Sequence, residues 1–566
     1  MQDSISTLDV SSASPDHVVA IEPLLAERIE VLRGPATLRY GSGAIGGVVN
    51  VIDNRIPDRM PEELEGAVEL RHAGINNENS GVFALNNGGK GVAWHLDGLY
   101  RDSADLRING LAASNAEDPS ETSEGFIANT DAQTLGGTAG ISRIGENGFI
   151  GVSVSYLDNN YGIPPGAHAE EEAMAAEESG EEYVRIDLRQ TRYDLKGRLD
   201  QPFDGFEKLT FRLGYNDYKH TELENGEAGT QFDSDALEGR VELIHNATNG
   251  WRGAVGLQLF DQLFSAIGEE AIIPQSDIRS YGIFLVEELQ RGSWIYELGA
   301  RAERQQIDPD VGQAVDHTSV SASTSAQWHF SKKQSLGLIL SRSQRAPAVE
   351  ELYSFGPHLA TVSFDVGNAE LDKETSHNVE LSYHWHGDVE AAVNLFYNRI
   401  DDFIYRRNTG AEDTEEELVI YAYDQEDTSF KGLEAEVTLP LATAWRLRLF
   451  GDAVRAKLNS GGDVPRITPV RLGAELQFSQ GYWEAQLRLT EVADQDNPGE
   501  FETTTDGYTR LDARLNYRIN RDKFDYLIFL KGNNLLNEEI RNANSFLRNS
   551  APEAGRGLQL GVRMSF

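Results

Sequence analysis

Leu558-Gln-Leu-Gly-Val-Arg-Met-Ser-Phe566, the end of this 566-residue chain, is the stretch that decides the fold. Apolar side chains occupy every second position, and the residues between them are Gln, Gly, Arg and Ser. Because successive side chains of a β-strand point to opposite faces, this alternation predicts a strand with one apolar and one polar face. The terminal Phe566 suits the aromatic girdle where the last strand of a bacterial transmembrane barrel meets the membrane interface. The stretch therefore predicts a transmembrane β-barrel.

The same alternation recurs along the chain from about residue 64 onward. It is clearest in the segments 66–72, 151–157, 208–215, 378–385 and 526–532. A tilted strand of about ten residues can cross a bilayer, and no apolar run of about eighteen residues predicts a transmembrane helix. At about 20–25 residues per strand and connection, the barrel would contain about 22 antiparallel strands. A soluble β-sandwich or propeller is the alternative, but it gives no reason for the final Phe566.

The charge of the chain excludes one class of partner. Its 91 acidic and 50 basic residues give a formal net charge of −41. Nucleic acid is not expected as a partner, because binding to phosphates requires a basic face. Two explanations of the acidity stay open, a funnel that concentrates cations and the acidic surface of a protein from a salty environment. The chain has no cysteine, which is compatible with passage through an oxidising periplasm.

One long stretch resembles a known family. Residues Glu27–Ile52, ERIEVLRGPATLRYGSGAIGGVVNVI, resemble the plug domain of TonB-dependent outer-membrane receptors. Segments 341–353 and 532–539 are also similar to sequences of these receptors. The resemblance implies a receptor in the outer membrane of a Gram-negative bacterium, surrounded by lipid and acting with the TonB energy-transducing complex. It further implies that Glu30 and Arg33 hold the plug to the barrel.

The resemblance divides the chain into two parts. We expect residues 1–58 to form the carboxy-terminal half of a plug and residues 62–566 to form the barrel. The fold is then an all-β transmembrane barrel of about 22 strands that encloses a partial plug domain. Complete receptors also carry a signal peptide, a segment that pairs with TonB and the first half of the plug, and none of these is recognised here. We therefore expect active transport to belong to a longer form.

Three further segments resemble the ZnuD-type zinc receptors of this family. They are residues 11–20, 216–230 and 355–368. In the zinc receptors an Asp-His pair of the plug contributes to zinc binding, and Asp16 and His17 match that pair. The resemblance implies uptake of a metal ion or metal chelate, most of all zinc. Zinc would be the transported ligand, and no catalytic cofactor is expected.

The residue types support a metal site independently. Without cysteine, a tetrahedral zinc site in this chain would use histidine nitrogen and carboxylate oxygen. His220 and Glu222 are two residues apart on a predicted strand, so both side chains lie on one face. Leu213 and Tyr215 occupy the opposite, lipid-facing positions, which puts His220 and Glu222 in the lumen. His358 follows Gly-Pro at a predicted junction of loop and strand near the barrel mouth.

We therefore predict a metal site between the plug and the barrel wall. Its ligands would be Asp16, His17, His220, Glu222 and His358. Glu227 is the alternative to Glu222, and the pair of His384 and His386 is a spare candidate with a structural role as its more common reading. The loop after residue 166 has one histidine among many glutamates, which favour hard cations, so it would concentrate metal rather than select it.

Other functions compete with zinc uptake. Haem is the alternative cargo, with His17 and His358 as axial ligands beside Tyr353 and Phe355, and a ferric siderophore is the third. An enzyme is not expected, because the chain has no GxSxG, HExxH or phosphate-binding loop. A passive porin is a further alternative, against which the plug-like residues 27–52 argue.

Overall fold

The computed structural model describes residues 1–11, 18–19, 21–114, 122–164, 184–224, 226–268, 271–414 and 416–566. The strands in these ranges are β1 Ala26–Leu32, β2 Val48–Asp53, β3 Glu65–Ala73, β4 Glu78–Gly89, β5 Val92–Ser103, β6 Leu106–Leu111, β7 Glu124–Ile127, β8 Ala132–Gly145, β9 Gly148–Gly162, β10 Val184–Asp200, β11 Phe206–Glu224, β12 Glu227–His245, β13 Trp251–Ile267, β14 Ser276–Arg291, β15 Trp294–Pro309, β16 Val315–Ser331, β17 Gln334–Arg345, β18 Phe355–His358, β19 Ser363–Val366, β20 Glu374–Trp385, β21 Glu390–Glu412, β22 Val419–Ala442, β23 Trp445–Leu458, β24 Arg471–Gln480, β25 Trp483–Val492, β26 Tyr508–Arg521, β27 Phe524–Asn533 and β28 Gly557–Ser565. The helices are α1 Val349–Tyr353 and the 3-10 helices Pro23–Leu25, Gly34–Tyr40, Ser42–Ala44 and Leu359–Thr361.

Within the described ranges, 22 of these strands form one closed antiparallel barrel, namely β3–β5, β8–β17 and β20–β28. The last strand closes the barrel on the first, with Leu560 opposite His72 and the backbone N–H of Gly66 bonded to the carbonyl of Phe566 at 2.8 Å. On β28 the side chains of Leu558 and Leu560 are 56% and 54% exposed, as expected for a lipid-facing row. The predicted barrel and its strand number are confirmed. No helix in the described part of the chain is long and apolar enough to cross a membrane.

The two ends of the barrel differ. At one end the strands are joined by tight turns, such as the two residues between β14 and β15, and this end also holds Phe566. At the other end the connections are longer, such as residues 534–556 between β27 and β28. Short turns mark the periplasmic end of such barrels and long loops mark the outer end. Exposed Trp294, Trp445 and Trp483 form a girdle near the turns, and exposed tyrosines such as Tyr156 and Tyr397 form a second one toward the outer end.

The plug hairpin inside the barrel consists of β1, β2 and the 3-10 helix Gly34–Tyr40 between them. Arg33 donates two hydrogen bonds to the carboxylate of Glu434 on β22, at 2.9 and 3.0 Å. Arg39 pairs with Glu242 on β12. The expected contact with the wall is therefore found for Arg33, and Arg39 adds a second one. Glu30 instead lies within the hairpin, 2.7 Å from Arg28, so its expected role in holding the plug to the barrel is wrong.

The connection between β17 and β20 folds into the barrel mouth rather than outward. It contains α1 and the hairpin of β18 and β19, and β19 also pairs in parallel with β22. Val349 and Leu352 of α1 are 7% and 2% exposed and belong to a buried cluster with residues of the wall. This burial explains why an apolar segment is found between two strands. The segment delivers His358 to the interior.

Candidate metal centre

A cluster of buried apolar residues fills the interior of the barrel near its outer end. Three separate parts of the chain contribute to it: the amino-terminal segment through Val10, the wall, and the inward-folded connection. The wall residues include Ile186, Leu188, Tyr218 and Phe232, and the connection adds Leu352 and Ala360. The cluster is therefore the place where the plug side, the wall and the connection meet.

His220 and Glu222 lie on the inner face of β11 beside this cluster. His220 is fully buried and Glu222 is 7% exposed, whereas Leu213 and Tyr215 of the same strand are 40% and 38% exposed. The Nε2 atom of His220 is 3.8 Å from Oε1 of Glu222. An imidazole and a carboxylate thus come close together inside the barrel, as the spacing of two residues predicts.

The ring of His220 is fixed on both sides. Its Nδ1 atom lies 3.1 Å from the hydroxyl oxygen of Tyr218. Its plane stacks on the ring of Phe232, with centroids 4.4 Å apart and an angle of 17° between planes. The stacking and the hydroxyl contact together restrict the imidazole to one orientation.

His358 lies at the end of β18 and is 9% exposed. Its Nδ1 atom is 2.9 Å from the hydroxyl of Thr361 and 3.4 Å from Oδ2 of Asp365. Burial opposes ionisation of Asp365, but the hydrogen bond with His358 and the charge of Arg406 hold the pKa of that carboxyl below its usual range. His358 is therefore anchored by a hydroxyl and an ionised carboxylate.

The remaining predicted ligands are Asp16 and His17 of the plug and Glu227, the alternative to Glu222. Asp16 and His17 lie outside the described residues, as does the acidic loop after residue 166. Among the described residues, no three His, Asp or Glu side chains are close enough to hold a metal by themselves. Glu227 is exposed at the start of β12, whereas Glu222 is buried, so Glu222 is the better candidate of the two.

His384 and His386 lie far from the cluster. They stand at the end of β20 next to the periplasmic turn, with their rings parallel and 6.0 Å apart. Because the outer end of β20 is Glu374, these histidines are at the opposite end of the barrel from His358. They are therefore not spare ligands for the site at the mouth.

Arg406 is a residue of this site that the sequence did not reveal. Its guanidinium donates to Thr361 at 3.0 Å and to Ser363 and Asp365, and it lies over the rings of Tyr421 and Phe546. Thr361 ends the 3-10 helix Leu359–Thr361, and Ser363 and Asp365 lie on one face of β19. Their shared partner could not be found from local sequence, because Arg406 lies 41 residues beyond Asp365.

Comparisons with known proteins agree with the architecture. The family model described as TonB dependent receptor-like, beta-barrel matches residues 78–535, and the TonB-dependent receptor plug domain matches residues 2–48. In fold, the chain is similar to the copper transporter OprC, with a TM-score of 0.84, 16% identity and coverage of 100% of this chain and 90% of that one. It is also similar to the FrpB iron transporter from Neisseria meningitidis (F3-3 variant), with a TM-score of 0.77, 12% identity and coverage of 97% and 89%.

Two relatives illustrate the similarity in sequence. The chain is 24% identical to a hemin receptor of Yersinia pestis over 421 residues, which are 68% of this chain and 58% of the receptor. It is 32% identical to the ferric enterobactin receptor PirA of Pseudomonas aeruginosa over 135 residues, which are 24% of this chain and 17% of that receptor. The chain therefore spans less than two thirds of the length of either relative. Since the barrel model covers most of the chain, this protein belongs to the TonB-dependent receptor family of the Gram-negative outer membrane.

Proposed function

We propose that this protein is a receptor that binds a metal, zinc above others, at the mouth of the barrel and imports it across the outer membrane. The energy would come from the TonB complex, the partner for which the family is named. One observation carries the proposal: two imidazoles and a carboxylate, from His220, His358 and Glu222, are buried beside the same apolar cluster.

The donor set is the one that zinc prefers. Zinc binds histidine nitrogen and carboxylate oxygen, and with no cysteine in the chain these are its remaining strong ligands. The hydroxyl groups of Tyr218 and Thr361 contact the Nδ1 atoms of His220 and His358. When Nδ1 donates its proton to the hydroxyl oxygen, Nε2 carries the lone pair that a metal needs. Imidazole also suits copper and nickel, so a titration has to compare these ions.

The amino-terminal segment supports the two ligands from the plug. Val10 packs in the apolar cluster, and the backbone N–H of Val18 donates to the hydroxyl of Tyr161 at 3.3 Å, while Tyr161 packs against the same cluster. Asp16 and His17 directly precede Val18 in the sequence. Asp16 and His17 are therefore our candidates for completing the metal site.

Haem is the second candidate ligand. Its support is the similarity to a hemin receptor over 68% of the chain, together with an aromatic ring, Phe232, stacked beside a buried histidine. An axial histidine in a pocket of aromatic residues is a common arrangement for haem. A ferric siderophore is also compatible with the family, with support from a relative that matches 24% of this chain.

A metal titration of the purified full chain tests the proposal. Zinc, copper and nickel would each be titrated against a chromogenic chelator, with calcium in excess to occupy the many acidic side chains of the surface. We expect zinc to bind most tightly, and His358→Ala and His220→Gln each to weaken zinc binding about tenfold or more, since even contacts of a ligand contribute that much. His377→Ala is the matched control, because His377 is 47% exposed on the outer face, 3.5 Å from Asp401.

The same preparation distinguishes haem from zinc. A shift of the Soret band with haemin that is lost in His358→Ala, together with no change in zinc affinity, would favour haem. Wild-type zinc affinity in both His358→Ala and His220→Gln would refute the metal site altogether. Gel electrophoresis of heated and unheated samples reports whether each variant is still folded. A folded barrel gives a different mobility before and after heating.

A further inference from the structure

A groove of about 660 Å³ lies on the outside of the barrel, toward its outer end. Its apolar lining includes Leu381, Leu395 and Leu433 of the wall and Val464, Ile467 and Val470 of the loop between β23 and β24. The three leucines are about 40–46% exposed on the lipid-facing side. The groove exists because β24 and β25 have 10 residues each, whereas β21 and β22 have 23 and 24. The loop between β23 and β24 lies beside the longer strands, where the shorter strands have ended.

A row of three residues crosses the groove at the level of the outer aromatic girdle. Tyr397 is directly opposite Lys431, and Lys431 is directly opposite Arg455, on neighbouring strands. Tyr397 is 49% exposed and lies two residues from lipid-facing Leu395 on the same strand, so both side chains share the outward face. The row therefore points outward. Two like charges directly opposite each other on one sheet face are destabilising. Asp463 pairs with Arg455 at 3.0 Å, so Lys431 is the cation of this row that an anion would balance.

Other outward arginines near the outer end are neutralised by aspartates. Arg189 pairs with Asp158 and Asp187, Arg279 pairs with Asp261 and Asp277, and Arg304 pairs with Asp316. Lys431 makes no such ion pair with any residue that the structure describes, and its side chain is exposed. The positive charge of Lys431 is therefore unusual in a chain with a net charge of −41.

The groove also contains two acidic residues. Asp463 is balanced by Arg455 at 3.0 Å, and Asp494, which lies at the other side of the groove, accepts a hydrogen bond from the backbone of Gly507 at 2.7 Å. Lys457, two residues beyond Arg455 on the same outward face, adds an exposed positive charge. The interfacial part of the groove thus keeps a positive charge above an apolar floor.

We propose that this groove holds lipid A, the phosphorylated glycolipid of the outer leaflet. An acyl chain would lie against the leucines, and a phosphate would lie at Lys431, beside Arg455. Basic residues at a membrane interface attract acidic lipid headgroups. The position selects the leaflet, because the row lies at the girdle next to the long loops, whereas phospholipid headgroups of the inner leaflet meet the girdle near the turns.

Native mass spectrometry of the full chain in an uncharged detergent tests this site. Lipid A, its enzymatically dephosphorylated form and phosphatidylglycerol would be added separately at equal concentrations, and the bound fraction counted. We expect wild type to bind lipid A best, and Lys431→Gln with Arg455→Gln to lower that fraction about tenfold or more, as two interfacial cations imply. Dephosphorylation of the lipid should lower binding to wild type by a similar factor.

The matched control is Arg279→Gln, which removes an outward arginine near the same end of the barrel and should leave binding of lipid A unchanged. Leu433→Trp, which fills the apolar floor and keeps both cations, should also weaken binding. Wild-type binding of lipid A to the double variant would overturn the proposal. Equal binding of phosphatidylglycerol and lipid A to wild type would overturn the choice of lipid A as the occupant.

Discussion

At the scale of single residues, the two buried histidines are oriented by hydroxyl groups close to them in the chain. Tyr218 lies two residues before His220 on one strand, so its position follows from the alternation of a strand. Thr361 reaches His358 only because a 3-10 turn brings residues three apart together. The contact of Tyr218 with His220 could be predicted from the sequence. The contact of Thr361 with His358 depends on a turn that the sequence does not predict.

A residue-scale prediction concerns Glu350 of α1. Burial, followed by the negative charge of Glu351, raises the pKa of Glu350 to about 7. Its carboxyl group therefore stabilises the folded connection fully below its ordinary pKa of 4.5, and this contribution is lost as the pH rises through about 7. The loss amounts to at most about 3 kcal/mol, at about 1.36 kcal/mol per pKa unit.

Hydrogen exchange at the amide of Leu352, which bonds to the carbonyl of Ala348, measures this effect. After correction for the intrinsic rate, protection in wild type should fall between pH 4.5 and 7. Glu350→Gln should remove that fall, and Glu370→Gln, an exposed glutamate of the same connection, should keep it. A pH profile in Glu350→Gln identical to that of wild type would contradict the assignment.

At the scale of elements, the plug hairpin is attached to the wall by side chains that face water as well as protein. The Arg33 and Glu434 side chains are 46% and 39% exposed, so their ion pair contributes little to overall stability. The Arg33–Glu434 pair is bidentate, however. It joins the residue that follows β1 to β22 of the barrel wall. The pair therefore fixes position more than it adds free energy.

We expect Arg33→Ala to loosen the hairpin without lowering the melting temperature of the barrel. Amides of β1 and β2, which pair with each other, should exchange several times faster, because exposed ion pairs contribute about 0.2–1 kcal/mol. Arg28→Ala is the control, since Arg28 pairs with Glu30 inside the hairpin. Unchanged exchange in Arg33→Ala, or an equal effect in Arg28→Ala, would show that the ion pair with Glu434 does not hold the hairpin.

At the scale of the whole molecule, one surface of every barrel strand faces lipid and the other faces a polar lumen. Val562 of β28 is 44% exposed on the lipid side. Val562→Arg should destabilise the barrel by about 2–4 kcal/mol near the middle of the bilayer. Gln477→Arg, on the lumen side beside Glu475, should change the free energy of unfolding much less. Urea unfolding in lipid vesicles measures both, and equal losses would contradict the assigned faces.

The sequence by itself determined the barrel and the inward faces of His220 and Glu222, because alternation is a local property that any sheet must follow. The length of the chain gave the approximate number of strands. The glycine-rich stretch 27–52 was enough to recognise the plug. Only the tertiary structure decided that Arg33 meets Glu434, that Arg406 holds the His358 hairpin, and that the connection after β17 folds inward. Those outcomes depend on side chains hundreds or tens of residues apart, which meet because closing the cylinder puts distant strands beside one lumen.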